Sequence, residues 1–365
     1  MERINQIMVS RKFSPNGHKS EAQMETILVG LDIGYGRIKA VMPGKKVVFP
    51  SVIGRGIEIK FRADEIADRY PGEQLYDESG TWFVGNLALS QIAPAEILSL
   101  RGRTGDEAAI SNPFRLLMMK AALGKLFMDH VWDGERVQVI LSTGLPVDHM
   151  PDAQALKGAL LGTHSVETDA GRFMVEVTQV MVMPQPYGAY YTRFLTETGA
   201  INTTHTAQIT GIVDVGHFTT DLIVDNGGEY IDSMSGSIEA GVHTAHERIA
   251  ALLERKLREK PHPAMVEEAL LKGIVRVRGK DLDLSKDVSE ALTSLRRATL
   301  KLMGEKWQTG ARIDAIYLGG GGAQLVAAEV QHAYPHAELI RDAQFANAQG
   351  YLNYALFRQR EDEAI

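Results

Sequence analysis

The sequence predicts an α/β protein of two related domains around one cleft, and three observations predict it. At 365 residues the chain exceeds what a single hydrophobic core usually organises, so two domains are expected. An apolar strand that ends in Asp-x-Gly and leads through a turn into a second strand occurs twice. It is LVGLDIGYGRIKAV at Leu28 to Val41 and GIVDVGHFTTDLIV at Gly211 to Val224. Finally, four glycines, 319 to 322, stand between a strand-like and a helix-like stretch in IYLGGGGAQLV.

Each of these stretches has chemistry that suits a nucleotide. In an Asp-x-Gly turn the glycine lets the backbone come close, the N–H groups point at phosphate oxygens, and the carboxylate orients a hydrated cation. Asp32 and Asp214 fill that role, with Gly34 and Gly36 in the first turn and Gly216 in the second. Mg²⁺ takes hard oxygen ligands and keeps several waters, so the two carboxylates would meet it through water. The Thr219–Thr220 pair adds hydroxyls, and His217 either touches phosphate or shapes the loop. Lys39 either neutralises phosphate charge or faces solvent. The tetraglycine admits two readings, contact with a nucleotide or a tight helix–strand crossing. Gln185, between Pro184 and Pro186, is either a turn residue between the halves or the group that holds an attacking water. Glu247 reaches a ribose if its helix borders the cleft and is otherwise a solvated face.

Other chemistries are disfavoured. Gly34-Tyr-Gly36 feeds strand residues rather than a helix, unlike a dinucleotide fingerprint, and no Walker A sequence occurs. There is no Gly-x-Ser-x-Gly elbow, and HTAHE (His243 to Glu247) lacks the His-Glu-x-x-His order. The absence of cysteine removes disulfides and thiolate chemistry. A net charge of −7 gives no general electrostatic reason to bind nucleic acid. The basic runs RKLREK (Arg255 to Lys260) and RVRGK (Arg276 to Lys280) read as solvated faces. No apolar run reaches membrane-spanning length. Residues 1–23 are polar and lack a signal peptide's apolar core, which predicts a flexible tail and a cytoplasmic protein.

The elements follow in order. Strands are expected at Thr26–Leu31, Arg37–Met42 and Lys46–Phe49, forming a sheet rather than a βαβ unit. Residues 55–105 have poor periodicity and read as an inserted small subdomain, with a strand near Trp82 and an exposed loop at Arg101–Asp106. Pro113–Phe127 has helical spacing, Arg136–Ser142 is a central strand, and Pro151–Leu161 is a helix. Arg172–Pro184 is two strands or one bent strand, and Tyr187–Glu197 is the helix linking the halves. The second half begins near Thr206; after its hairpin a third strand is expected at Gly228–Ser235. A long helix follows at Ala240–Arg258, ended by Pro261 and Pro263. One or two helices lie between 264 and 304. A strand at Arg312–Leu318, a helix at Ala323–His332 and a last helix at Asn347–Phe357 complete the chain. The expected domains are 24–198 and 206–340, the second with a small subdomain at about 240–305, and residues 341–365 return to the first.

The ordered set of motifs resembles the actin-like ATPase superfamily. LDIGYGRIKA is similar to its phosphate 1 motif, STGLPVD (Ser142 to Asp148) to connect 1, and DVGHFTTDL to phosphate 2. IYLGGGGAQLV is similar to the adenosine motif and ANAQGYLNYA (Ala346 to Ala355) to connect 2. Length and the forms of STGLPVD and ANAQGYL favour the plasmid-segregation actins of the ParM/StbA type and related archaeal actin-like proteins. The resemblance implies an actin-like, ribonuclease-H-like fold and hydrolysis of ATP to ADP with Mg²⁺. In that reading Asp32 and Asp214 organise the metal through water and Gln185 is the hydrolytic glutamine. The nucleotide would be held by Gly34, Tyr35, Gly36, Lys39, Gly216, His217, Phe218, Thr219, Glu247, Gly319, Gly320, Gly321 and Gln324. It further implies head-to-tail filaments and a DNA-binding adaptor as partner, with no direct DNA or membrane contact. A small-molecule kinase of the same superfamily and a cytoskeletal scaffold without a segregation role stay open as alternatives.

Overall fold

The computed structural model describes residues 26–61, 63–99, 113–129, 135–204 and 209–363. The expected tail, the Arg101–Asp106 loop and the start of the second half at Thr206 lie outside the described residues. In the first half the order is β1 (Thr26–Ile33), β2 (Arg37–Met42), β3 (Lys45–Pro50), β4 (Val52–Arg55), α1 (Ala63–Arg69), β5 (Gln74–Asp77), β6 (Gly80–Val84), α2 (Gly85–Gln91) and β7 (Leu98–Ser99). It continues with α3 (Pro113–Phe127), β8 (Arg136–Leu145), α4 (Ala153–Leu160), β9 (Gly162–Thr168), β10 (Gly171–Pro184) and α5 (Pro186–Phe194).

The second half has β11 (Ile209–Val215), β12 (Thr220–Asn226), β13 (Glu229–Tyr230), β14 (Gly236–Ile238), α6 (Val242–Leu257), α7 (Pro263–Lys272), β15 (Ile274–Val277), β16 (Lys280–Asp283) and α8 (Ser285–Trp307). It ends with β17 (Ala315–Gly319), α9 (Ala323–Ala333), β18 (Ala337–Leu339) and α10 (Ala346–Glu363).

Both halves centre on the same device, an antiparallel hairpin whose first strand also pairs in parallel with a later one. In the first, β1 runs against β2 and alongside β8 in a sheet ordered β3-β2-β1-β8-β10-β9-β5-β6-β4-β7. In the second, β11 runs against β12 and alongside β17 in the order β13-β12-β11-β17-β18. These central strands are buried along nearly their whole length, which is why they read as continuous apolar runs. Each sheet has its own core. One gathers Val29, Leu31, Phe49, Phe127 and Leu141; the other gathers Val213, Val224, Leu253, Leu302 and Trp307.

Several expectations change. Gly228–Ser235 is not a continuous third strand: two-residue β13 gives way to a 3₁₀ turn at Asp232–Met234, and β14 then pairs with β12. The reason is Ser235, whose hydroxyl accepts the Val224 N–H at 3.0 Å, a donor that a continuous ladder would have used. Pro263 opens α7 at its first turn instead of closing the preceding helix; α6 ends at Leu257 and is capped by Arg258 in left-handed backbone. The helix expected at Pro151–Leu161 is divided between a 3₁₀ turn, Val147–Asp152, and α4. Arg172–Pro184 is one strand, bent by a register shift between Val177 and Gln179. The residues between 264 and 304 hold α7, most of α8 and a hairpin, β15–β16, around Gly279. The last helix runs on to Glu363, where Gln359 reaches Glu363 and Arg360 reaches the Thr198 carbonyl. Strand β9 is new, and β4 to β7 extend the first sheet where poor periodicity gave only a subdomain.

α10 lies across β1 and α5 at backbone distance. A Cβ at Gly30 would overlap the Ala348 carbonyl oxygen and come within 2.7 Å of Leu352 N. A Cβ at Gly350 would likewise strike the Gly188 carbonyl, and one at Gly188 would strike the Asn347 backbone and the Tyr351 ring. We expect Gly30→Ala to destabilise the protein by about 3 kcal/mol, because only backbone atoms could give way. Gly158, in α4 with open space around it, is the control. Gly158→Ala should be stabilising by about 0.5–1 kcal/mol, and urea midpoints compare the two directly.

Candidate nucleotide site

The two Asp-x-Gly turns face one another. The Tyr35 and Phe218 rings meet edge-on with centroids 5.2 Å apart, and the Gly36 backbone packs on the His217 ring. The second turn is closed by Gly216 N–H donating to the Thr219 carbonyl at 2.8 Å. It is anchored to the start of α6, where the Val242 and His243 N–H groups donate to the carbonyls of Gly216 and His217. An ion pair between Arg37, just after the first turn, and Glu267 of α7 also crosses the cleft.

Asp32 and Asp214 are 3% and 2% exposed and occupy equivalent strand ends. The residue opposite each in its hairpin distinguishes them. Opposite Asp32 is Lys39, buried, with Nζ 2.8 Å from Asp32 Oδ2. Opposite Asp214 is a second carboxylate, Asp221, which accepts the Thr219 hydroxyl at 2.8 Å. Burial is the main cause, and repulsion from Asp221 the next, of a rise in the Asp214 pKa to about 7. The Asn347 amide opposes that rise by donating to Asp214 Oδ2 at 2.8 Å. Asp214 Oδ1 is buried with no hydrogen-bond partner among the described residues. A buried, unpartnered carboxylate oxygen beside a second carboxylate suits a hydrated cation. Among the described residues no three His, Asp or Glu side chains converge on one point, so direct ligation by protein alone is not built here. Asp32 and Asp214 fit Mg²⁺ that keeps its water shell.

The tetraglycine divides between its two readings. Gly319 packs on Ala189, Gly320 (φ 87°) packs on Asp214 and Val215, and Gly322 packs on Val215 and Val242. Those three let the turn between β17 and α9 pack closely against α5, β11 and the start of α6. Gly321 alone is exposed with open space over its Cα, so it is the glycine that can meet a ligand.

Gln185 precedes α5, with its N–H on the Leu145 carbonyl at 2.7 Å. Its side chain is half-buried and has no partner among the described residues. Glu247 and Gln324 are exposed. Glu247 pairs with His243 at 2.9 Å along α6. His246 stacks edge-on against His217 and, by burial and the nearby His243 and Arg37 charges, has its pKa lowered to about 4. Sequence reasoning missed Asp221, Asn347, Arg37 and the buried Arg115 near Asp32 and Tyr35. Asp221 had a signal: it follows Asp214 by the same seven-residue interval that separates Lys39 from Asp32.

The family described as "Actin like proteins N terminal domain" matches residues 30–188, and "Archaeal actin homologue MreB-like, C-terminal" matches residues 212–332. The chain belongs to the actin-like proteins. Among solved structures, this actin-like chain is similar to the 15-stranded ParM filament from Clostridium botulinum, 22% identical, with 92% of this chain and 100% of that one covered and a TM-score of 0.74. It is similar to the archaeal actin homologue Ta0583 in complex with ADP, at 20% identity, 90% and 99% coverage and a TM-score of 0.69. It is also similar to Bacillus thuringiensis ParM with ADP, at 16%, 92%, 99% and 0.66. At these identities the likeness establishes the fold. No curated protein sequence matches the chain. Among the described residues no helix is long and apolar enough to cross a membrane.

The raised Asp214 pKa has a sign that can be tested. Between about pH 4 and pH 7 the native apoprotein holds a proton that the unfolded chain has released. The residue's contribution to stability is therefore greatest at acid pH and falls as pH rises through that window. Urea midpoints measured without metal or nucleotide should decline more steeply with pH for wild type than for Asp214→Asn.

Proposed function

We propose that this actin-like protein binds Mg-ATP in its cleft, hydrolyses it slowly to ADP, and assembles into nucleotide-controlled head-to-tail filaments. We further propose that the filaments serve DNA segregation through a separate DNA-binding adaptor, in the cytoplasm. The observation that carries the reading is the facing pair of Asp-x-Gly turns, with Asp32 and Asp214 buried at equivalent strand ends. That Ta0583 and the Bacillus thuringiensis ParM hold ADP supports the ligand, and that the Clostridium botulinum ParM forms a filament supports assembly. The boundaries that fit are 24–198 and 206–340, with the residues from 341 returning to the first domain through α10.

The residues divide the work by position. Backbone at Gly34, Gly36 and Gly216 lies against the phosphates, flanked by Tyr35, His217, Phe218 and Thr219. Lys39 pairs with Asp32 and adds positive charge beneath the phosphates. Gly321, with Gly320 behind it, borders the adenosine, and Glu247 and Gln324 lie on the exposed rim. Mg²⁺, when bound, neutralises phosphate charge, and Asp32 and Asp214 would hold its waters. Gln185 orients the attacking water. A carboxamide is a weak base, so turnover is slow. A contact that repeats head to tail without closing propagates a filament. Two halves meeting at one ligand couple that contact to nucleotide state, since a hundredfold preference of ATP for the closed form is worth about 2.7 kcal/mol.

Gln185→Ala should leave ATP affinity nearly intact while slowing single-turnover hydrolysis, whereas Asp214→Ala should lose hydrolysis without losing the fold. Calorimetry, quenched-flow phosphate release and circular dichroism separate these outcomes. Assembly is checked by sedimentation and electron microscopy with ATP, ADP and a non-hydrolysable analogue. Filaments are expected with ATP and their loss with ADP. Protein that binds ATP yet stays monomeric in every state, and transfers phosphate to an added sugar or acid, would instead be a kinase.

A further inference from the structure

α10 makes a contact with the site that the motifs did not disclose. Asn347, 3% exposed in its first turn, spends both ends of its amide. Its Nδ2 donates to Asp214 Oδ2 at 2.8 Å, and its Oδ1 accepts the Ala189 N–H at 3.0 Å. Ala189 is the fourth residue of α5, so Asn347 ties into the start of α5 from outside the helix. One helical turn further along, Tyr351 is fully buried and donates its hydroxyl to the Gln185 carbonyl at 3.2 Å. Residues four apart share a helix face, so one face of α10 grips Gln185 to Ala189 and, through Asn347, the strand end that carries Asp214. The Gly188–Gly350 approach fixes the spacing, because neither helix can shift toward the other.

We propose that Asn347 and Tyr351 are positioning residues: α10 sets the register of Gln185 against Asp214, so that the water-orienting amide and the carboxylate that holds the cation's waters stay aligned. Neither residue faces the nucleotide in this role. Each acts through the group it holds. The inference rests on the ATPase reading above and extends it to a helix outside the phosphate turns.

The test is single-turnover hydrolysis and ATP affinity for Asn347→Ala and Tyr351→Phe, each alone and combined with Gln185→Ala, in the full chain with Mg²⁺. Misalignment of a reacting group by a fraction of an ångström to about 1 Å lowers rate far more than affinity, so Asn347→Ala should lose roughly 10- to 100-fold in rate. Its ATP affinity should change by less than about threefold. Tyr351→Phe should lose less, about three- to tenfold, since Gly188 N–H still bonds the Gln185 carbonyl. In the Gln185→Ala background the Tyr351→Phe loss should largely vanish and the Asn347→Ala loss should shrink to what its bond to Asp214 contributes, because one of the two aligned groups is gone. Equal losses in the two backgrounds, or unchanged single-variant rates, would overturn the proposal. If Asn347→Ala does not fold by circular dichroism, Tyr351→Phe decides the cycle alone. A wild-type chain that binds Mg-ATP and never hydrolyses it would defeat the ATPase reading and this inference together. A wild-type chain that hydrolyses while the variants match it would defeat only the inference.

Discussion

The structure depends on the backbone-to-backbone seating of α10 against β1 and α5. Three glycines, 30, 188 and 350, make that approach possible, and each would meet backbone atoms if it carried a Cβ. Through it a helix from the end of the chain reaches the central strand of the first sheet and the helix that joins the halves. Leu28, Val41, Leu352 and Ala355 gather on one side of the joint, and Tyr190, Ile212, Ile223 and Tyr317 on the other. The site lies where these contacts converge.

The two hairpins share a geometry and differ in charge. Position for position, Lys39 answers Asp32 and Asp221 answers Asp214. One carboxylate is neutralised within the protein; the other faces a like charge and has an oxygen without a partner. Buried carboxylates are costly to ionise alone, so in the proposed complex a cation arriving with phosphate would meet one half already satisfied and one half that gains from its presence. That asymmetry gives Asp214 the larger share of any ligand-dependent change.

Much of this was legible in the sequence because it is local. The hairpins at Asp32 and Asp214 announced themselves by apolar strands and Asp-x-Gly turns, and α3 by uninterrupted helical spacing from Pro113 to Phe127. Strand β9, GTHSVET, did not, since Thr163, His164 and Ser165 blur its alternation. Four consecutive glycines admit both nucleotide contact and close packing, and residue pattern does not say which glycine does which: three serve packing and one faces open space. Asn347 lies inside ANAQGYLNYA, where nothing local points to its task. Its partners are 133 and 158 residues away in the chain, a distance across which residue pattern carries no pairing information.

The separation of the two cores has a consequence for cooperativity. Each sheet buries its own large cluster, and smaller apolar groups around α5 and α10, with the contacts across the cleft at Tyr35–Phe218 and Arg37–Glu267, connect them. A chain built this way need not melt as a single unit. A ligand held by both hairpins adds its binding energy to the joint rather than to either core. Empty, two cores share a joint and can open separately; with the proposed nucleotide bound, they would open together.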